Sequence, residues 1–327
     1  MGVPCVRVDR TDGEATRRRL ADLDLLTEEY DVSVAEGSIY IPVSEPEAVP
    51  PDLTVVNHDA PARETQTLPG DVLNWEPSYE RLGDLAIIDE DDPVTAESIA
   101  EALMTSDLPI EGVLNRASKI KGQTRTRDWE VLRGDRTQTV HREYGSEFAL
   151  DLESVYFSPR LATERHRVIE QVQNGEQVFD MFAGVGPYAI PMARQGAQVV
   201  ATDVNETAIE YLRENAERNG MEKRISAIAA DVREIAPEYE GWADRIVMNL
   251  PHSAGEFLET AVVLAGDSAR IHYYDIQHES APFEPGEEAI RAVAEPEYEV
   301  HVAIKREVRT YAPHELNVAL DVDLLRA

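Results

Sequence analysis

The stretch VFDMFAGVGPYA, residues 178–189, constrains what this chain can fold into more than any other. A short apolar run ends in Asp180, and a Gly-x-Gly turn at Gly184 and Gly186 leads into an apolar, helix-like segment. A second apolar run, AQVVATD, ends in Asp203. Strand, glycine turn, helix, strand and terminal acid is how a doubly wound α/β domain builds a nucleotide pocket. The glycines let the backbone come close to a ligand, and the acid ending the second strand takes a ribose diol. An adenosine-bearing ligand is expected; the turn alone does not name it.

Gly184-Val-Gly186-Pro-Tyr-Ala189 also fits the dinucleotide pattern GxGxxA, so NAD competes for the site. Two details favour S-adenosylmethionine (SAM). Pro187 removes a backbone N–H where a pyrophosphate would seek donors at the helix start. Asp180 brings a carboxylate, which suits a sulfonium and an ammonium better than a phosphate.

Charge bears on the partner. The chain has 327 residues with 63 acidic against 31 basic, a net of −32. Only Lys119, Lys121, Lys223 and Lys305 are lysines. With 43% hydrophobic residues and regular periodicity, this is a folded protein with an acidic, lysine-poor surface, as expected for a salt-rich cytoplasm in a halophile. Net charge is a poor guide to nucleic-acid binding when the whole surface is acidic. Between Arg116 and Arg142, however, the sign reverses locally: Arg116, Lys119, Lys121, Arg125, Arg127, Arg133, Arg136 and Arg142 stand against Asp128, Glu130 and Asp135. That is an electrostatic footprint for RNA, or a β-rich region with solvated arginines. The single cysteine, Cys5, excludes a disulfide framework and a cysteine zinc cluster, and no metal is expected. No signal peptide or membrane-length apolar run is apparent, so a cytoplasmic protein is expected. Nothing demands a dimer, and a monomer is expected.

Three units follow from the patterning. Residues 1–45 read as a small α+β module: CVRV a strand, GEATRRRLADLDLL a helix, YDVSVAEGSIYIPV a hairpin turning at Glu36-Gly37. Residues 46–70, rich in Pro and polar residues, read as a linker. Residues 71–164 read as a middle α+β domain, with LAIIDE and GVLNRAS as strands, TAESIAEALMTS as a capped helix, and successive antiparallel strands turning at Gly134-Asp135 and Gly145. From 165 to 327 strands and helices alternate, giving a Rossmann-like α/β domain; its last two runs suggest antiparallel edge strands. Asn205 is placed to cap the clearest helix, and Gly220 to close it.

Three further clusters carry chemistry. Asp231 ends the third strand of this domain, where it would accept from an adenine amine or simply cap a helix. Met248-Asn249-Leu250-Pro251 ends the fourth: the Asn249 amide donates and accepts together, which suits the edge of a nitrogen heterocycle, and Pro251 stiffens the turn. The segment Tyr156-Phe-Ser-Pro-Arg160-Leu-Ala-Thr-Glu164-Arg165-His166 directly precedes the α/β domain. Its Glu-Arg pair is either a pocket element or a surface ion pair.

CVRV with the small N-terminal unit, GDLAII, SKIKGQTRTRDWEVL, QTVHREYG, VYFSPRLATERHRV, DMFAGVGPYAIPMA, TDVNETAIEYLRENAERNG and IVMNLPHSAGEFL together resemble the archaeal tRNA (guanine-37-N1)-methyltransferases. The resemblance covers essentially the whole chain. It implies a class I SAM-dependent methyltransferase domain preceded by an N-terminal module that recognises the tRNA outer corner and a middle domain, with tRNA as partner. It implies Glu164 as the general base for guanine N1 and Arg125 as the group stabilising charge on O6. Asn249 would orient the base, with Pro251 shaping its pocket. Tyr156, Arg160, Phe182, Asp203, Val204 and Asp231, with Asn249, match positions that hold SAM. The chain departs from the pattern at Thr124, where many relatives carry an aromatic, and at Thr126, between the two arginines. Two other readings stay open: a wyosine-pathway SAM-dependent aminocarboxypropyl transferase on tRNA, and a non-catalytic RNA-binding relative. Intact Asp180, Glu164 and Asn249 argue against the latter.

Overall fold

Alternating side chains give the N-terminal strand two useful faces. The structure, a computed structural model, describes residues 2–63, 66–119, 122, 125–295 and 297–327; Lys121 and Thr124 lie outside the described residues. In β1 (Val3–Asp9), Val6 and Val8 face Leu20 of α1 (Gly13–Asp22), while Val3 and Cys5 meet Tyr40 and Val56 on the opposite side. β2 (Ser33–Ala35) and β3 (Ser38–Pro42) form a hairpin whose turn residues Glu36 (φ 48°) and Gly37 (φ 84°) are both left-handed, the geometry that matches strand twist in a two-residue loop. The expected linker 46–70 is corrected here. Within it, β4 (Thr54–His58) pairs antiparallel with β1, completing a sheet ordered β2-β3-β1-β4. Pairing with a strand some fifty positions away supplies the backbone partners that so short a run cannot signal by itself. Residues 1–67 form one unit and 68–327 a second.

The second unit begins with α2 (Pro69–Leu73), β5 (Glu80–Leu82), β6 (Leu85–Ile88), α3 (Pro93–Thr105), β7 (Gly112–Arg116) and β8 (Trp129–Arg133). Asp92 caps α3 by accepting the Thr95 N–H at 2.9 Å. The sheet runs β5-β6-β7-β8 with β6 and β7 parallel across α3. A second correction concerns β9 (Gln138–Glu143) and β10 (Ser146–Asp151). They form a hairpin of their own, through Tyr144 (φ 44°) and Gly145 (φ 79°), and do not continue the β8 sheet.

The α/β domain comprises α4 (Ala162–Ile169), β11 (Gln177–Asp180), α5 (Ala189–Arg194), β12 (Gln198–Asp203), α6 (Glu206–Arg218), β13 (Ile225–Ala229), α7 (Val232–Ile235), β14 (Ala243–Met248), α8 (Leu258–Leu264), β15 (Ala265–His278), α9 (Glu284–Ala294), β16 (Tyr298–Ala312) and β17 (Glu315–Arg326). Its sheet order is β13-β12-β11-β14-β15-β17-β16. The first five strands are parallel and β17 is antiparallel to both neighbours. Only β16 of the last two is an edge strand; β17 is interior, its alternation reflecting a buried polar face rather than a solvated one. β11 is apolar on both faces, Val178 and Phe179 entering cores on opposite sides, as a parallel central strand requires. Strand order reverses between β11 and β14, which places the ligand crevice at their C-terminal ends.

The β9–β10 hairpin is fastened to this domain by α6. Asn215, fully buried, accepts the Ala149 N–H at 2.7 Å and donates to the Ala149 carbonyl at 2.9 Å and the Val185 carbonyl at 3.2 Å. One turn on, Asn219 brackets Glu147 in the same way. Asn215→Ala orphans buried backbone groups and is expected to cost about 2–4 kcal/mol. Denaturant unfolding of the two proteins measures this, and a loss below half a unit on that scale, about 0.5 kcal/mol, would remove the fastening role.

Candidate active site

The turn after β11 is built by hydrogen bonds that its sequence dictates. Gly184 (φ 52°) and Gly186 (φ 92°) both adopt left-handed backbone. A Cβ at Gly186 would come within 3.0 Å of Ile190 Cδ1 and 3.2 Å of Leu212 Cγ, so only glycine lets the turn close against its helices. The Gly184 N–H donates to Asp203 Oδ2 at 2.8 Å, and the Asn205 N–H donates to Asp203 Oδ1 at 2.9 Å. The Gly186 N–H is used by the Ala183 carbonyl at 2.9 Å. Asp203 thus ties the β11 turn to the end of β12; burial raises its pKa.

These strand ends surround a cavity. Of the residues picked out from the sequence, Arg125, Tyr156, Phe182, Asp203, Val204, Asp231, Asn249 and Pro251 all line it. The Arg125 guanidinium lies over the Tyr156 ring, 4.7 Å from its centroid, and Arg125 itself holds φ 56°. Phe182 packs edge-on against Phe257. Asp231 caps α7 through the Arg233 N–H at 2.9 Å and pairs with the Arg233 guanidinium, so it is both a cap and a cavity residue. Hydrogen bonding to Arg233 holds its carboxyl below the usual range. Among the described residues the Asn249 side-chain amide makes no hydrogen bond, leaving its donor and acceptor for a ligand.

The cavity distinguishes the two ligands that the turn left open. A pyrophosphate needs free amides at the glycine turn. Here the Gly184 and Gly186 amides are already bonded and Pro187 has none. Beside the turn, Asp180 is wholly buried, no described side chain pairs with its carboxyl, and burial pushes its pKa up to about 7 against the opposing effect of the Phe182 backbone N–H. A buried carboxyl with no cationic side chain beside it suits a cationic ligand better than a diphosphate. The residues fit SAM and not a dinucleotide.

Two expected site residues are placed elsewhere. Arg160 faces a broad adjoining cleft, where its guanidinium is captured by Glu80. Glu164 is 4% exposed and is not among the residues lining the cavity, although its neighbours Leu161 and Arg165 are. Its carboxylate accepts from Arg167 (Nη2 2.7 Å, Nε 3.0 Å) and from the Tyr274 hydroxyl at 2.9 Å, with Arg306 at 3.2 Å. The adjacent Arg165 does not pair with it but forks onto Glu143 of β9 at 2.8 and 2.5 Å. Neither is a surface ion pair.

The local sign reversal is also narrower than the sequence suggests. Arg133 bonds Glu97 and Glu101 of α3, Arg136 bonds Asp84 and Glu111, Arg142 bonds Glu147, and Arg116 bonds Glu80 and Asp89. Lys119, Arg125 and Arg127 line the adjoining cleft with Trp129, His252 and Tyr311. His252, Tyr311, Arg309 and Asn317 escaped the sequence reading. Arg309 Nε and Asn317 Oδ1 are buried without partners on the cavity wall, both brought there by the antiparallel strands. The signal available was the odd-numbered face of ELNVALDVDLL, polar at Asn317, Asp321 and Asp323 in an otherwise apolar strand.

Residues 139–303 match the family described as the TRM5/TYW2 methyltransferase domain, residues 5–49 the tRNA methyltransferase 5 N-terminal domain, and residues 65–137 the TYW2 N-terminal domain. The chain is 40% identical to the tRNA (guanine(37)-N(1))-methyltransferase Trm5b of Pyrococcus abyssi over 97% of both chains. The crystal structure of that relative is similar with a TM-score of 0.73, covering 99% of each. A solved complex of aTrm5 with tRNALeu is similar at a TM-score of 0.71 and 31% identity, covering 98% of this chain and 99% of that one. A tRNA(Phe) (4-demethylwyosine(37)-C(7)) aminocarboxypropyltransferase of Pyrococcus horikoshii is 34% identical over 80% of this chain and 95% of its own.

Proposed function

The chain belongs to the TRM5/TYW2 methyltransferase family, and from that premise we propose that it methylates N1 of guanosine 37 in tRNA with SAM as methyl donor. The observation that carries this is the union of two features in one cavity: a glycine turn whose amides are spent on Asp203, and the unbonded Asn249 amide facing the same space. Similarity along the full chain, including residues 5–49, favours the guanosine methyltransferase over the aminocarboxypropyl transferase, whose relative matches 80% of the chain.

When bound, SAM supplies an electrophilic methyl group. Asp203 would take its ribose diol, Asp231 its adenine amine, and Tyr156, Phe182 and Val204 its apolar faces. The chain's own residues prepare the acceptor. Asn249 donates to and accepts from the guanine edge, against a turn stiffened by Pro251. Guanine N1 carries a proton and is not nucleophilic until that proton leaves; Glu164 takes it as general base. Negative charge then grows on O6, where the Arg125 guanidinium stabilises it. The base must leave its stack to enter the cavity, and the cation-lined cleft beside it holds the flanking backbone, Arg160 acting there rather than on SAM.

Incubating the purified protein with labelled SAM and unmodified tRNA in molar KCl, followed by nucleoside mass spectrometry, tests this reading. The expected product is N1-methylguanosine at position 37; a methyl group elsewhere, or tight NAD binding by calorimetry, would overturn it. Residues 1–67 act as the module that grips the tRNA outer corner. Their removal should raise the KM for tRNA and leave SAM binding intact, and loss of SAM binding would show a structural role instead. Net charge −32 with four lysines supports a salt-adapted enzyme, acting in the cytoplasm as a monomer. Among the described residues no helix is long and apolar enough to cross a membrane.

A further inference from the structure

Glu164 heads a buried polar chain. The Arg167 guanidinium is shared between two carboxylates, Glu164 (2.7 and 3.0 Å) and Asp321 (2.6 and 3.0 Å). Asp321 has no exposed surface and also accepts from Gln171 Nε2 at 3.1 Å. Its remaining partner is His272, whose Nδ1 lies 2.8 Å from Asp321 Oδ1 and whose Nε2 lies 2.6 Å from Arg245 Nη1. A guanidinium only donates, so Nε2 is the acceptor and the His272 proton sits on Nδ1, donated to Asp321. Burial keeps His272 from charging. Burial also opposes the charge on Asp321, but the hydrogen bonds from His272 and Arg167 hold its carboxyl well below the usual range. Asp321 is a fixed anion.

On the opposite side of Glu164 stands a pair of phenols. Tyr188, in the glycine turn, donates to the Tyr274 hydroxyl at 2.9 Å, and Tyr274 donates to Glu164 Oε1 at 2.9 Å. Both are buried and stay protonated. The groups facing Glu164 are therefore Arg167 on its own helix, Arg306 from β16, Tyr274 and His272 from β15, Asp321 from β17, and Tyr188 with Asp180 beyond it.

We propose that Asp321 and Tyr274 are positioning residues that set the proton affinity of Glu164 from opposite directions, a proposal that rests on Glu164 being the base. Asp321 draws off part of the Arg167 charge and adds its own negative field, so it makes Glu164 a stronger base than a carboxylate facing two guanidiniums would otherwise be. Tyr274 stabilises the ionised carboxylate by hydrogen bonding and restrains that increase. In the reaction the N1 proton passes to a Glu164 carboxylate oxygen, and the N1 lone pair it leaves behind becomes the nucleophile.

The test is the single-turnover rate of methyl transfer against pH, at saturating SAM and tRNA, for the wild type, Asp321→Asn, Tyr274→Phe and Glu164→Gln. The acid limb reports protonation of the base in the bound complex. Asp321→Asn should move its midpoint down by about one pH unit and Tyr274→Phe should move it up by a similar amount. A merely structural role would lower the plateau or the melting temperature without moving the midpoint. Should Asp321→Asn fail to fold, Tyr274→Phe decides alone, because it removes one oxygen and leaves the ring in place. Unmoved midpoints, or shifts in the same direction, overturn the proposal while leaving the base assignment standing if Glu164→Gln abolishes the limb. An acid limb that survives in Glu164→Gln overturns the base assignment and this inference with it.

Discussion

Glu164→Gln is expected to lower the single-turnover rate constant of methyl transfer by about a thousandfold, within the range general-base catalysis supplies. Gln keeps the volume and can still accept from Arg167, but it cannot take the N1 proton. Because Glu164 is not among the residues lining the SAM cavity and Gln keeps its shape, SAM affinity and the KM for tRNA should change little, so the loss should not be recovered by saturation with substrate. Arg125→Ala should also slow the chemical step, by about a hundredfold, through loss of charge stabilisation at O6. Arg133→Ala is the control: its guanidinium is spent on Glu97 and Glu101, and the rate of transfer should be unchanged. A wild-type chemical rate in Glu164→Gln would overturn the base assignment and pass that role to a water.

Asp180→Asn is expected to stabilise the ligand-free protein while weakening SAM binding. The Asp180 carboxyl is pushed by burial from 3.8 to about 7, so it favours the folded state only when protonated. A group whose pKa rises on folding contributes fully below its unfolded value and loses that contribution as pH rises through its folded value. Below about pH 4 the two proteins should melt alike. Between there and pH 7 the wild type falls behind by roughly 1.4 kcal/mol per unit, reaching about 4 kcal/mol above pH 7, as an order of magnitude. Melting curves of both proteins across this window check the sign and the window together. A difference independent of pH would mean that the carboxyl titrates alike in the folded and unfolded chain, so that burial does not raise its pKa. Calorimetry at pH 8 should show weaker SAM binding in the variant, because the negative field beside the glycine turn is gone.

The parts of the molecule that local chemistry determines were legible in the sequence. Asn205 caps α6 by accepting from Thr207 and Ala208, and Glu36-Gly37 makes the expected hairpin turn, because each signal lies within a few residues of its effect. The four parallel strands β11 to β14 and the glycine turn followed in the same way. What failed depended on distant partners. β4 has only two valines to advertise it and is defined by β1; β8 and β9 look like a hairpin around Gly134 but join different sheets. The site divides along the same line. Asp203, Asn249 and Pro251 sit at strand ends and line the cavity, whereas Arg160 and Glu164 are drawn to Glu80, Arg167 and Tyr274, partners no spacing rule supplies. Arg309 and Asn317 reach the cavity only because β17 is inserted between β15 and β16.

β16 is the longest strand described, fifteen residues with one side of its backbone left open at the edge of the sheet. Such an edge is a template onto which a second chain can add, the usual route to fibrils. In dilute buffer a net charge of −32 keeps copies apart, but in molar salt repulsion is screened within about 3 Å and no longer protects. The register of β16 against β17 breaks three times, between Val302 and Ile304, between Glu307 and Arg309, and between Thr310 and Ala312. Each break bends the strand and misaligns the outward N–H and C=O groups, so an incoming strand finds no long straight run to match. Protection against self-association is thus written into backbone shape, where dissolved ions cannot weaken it.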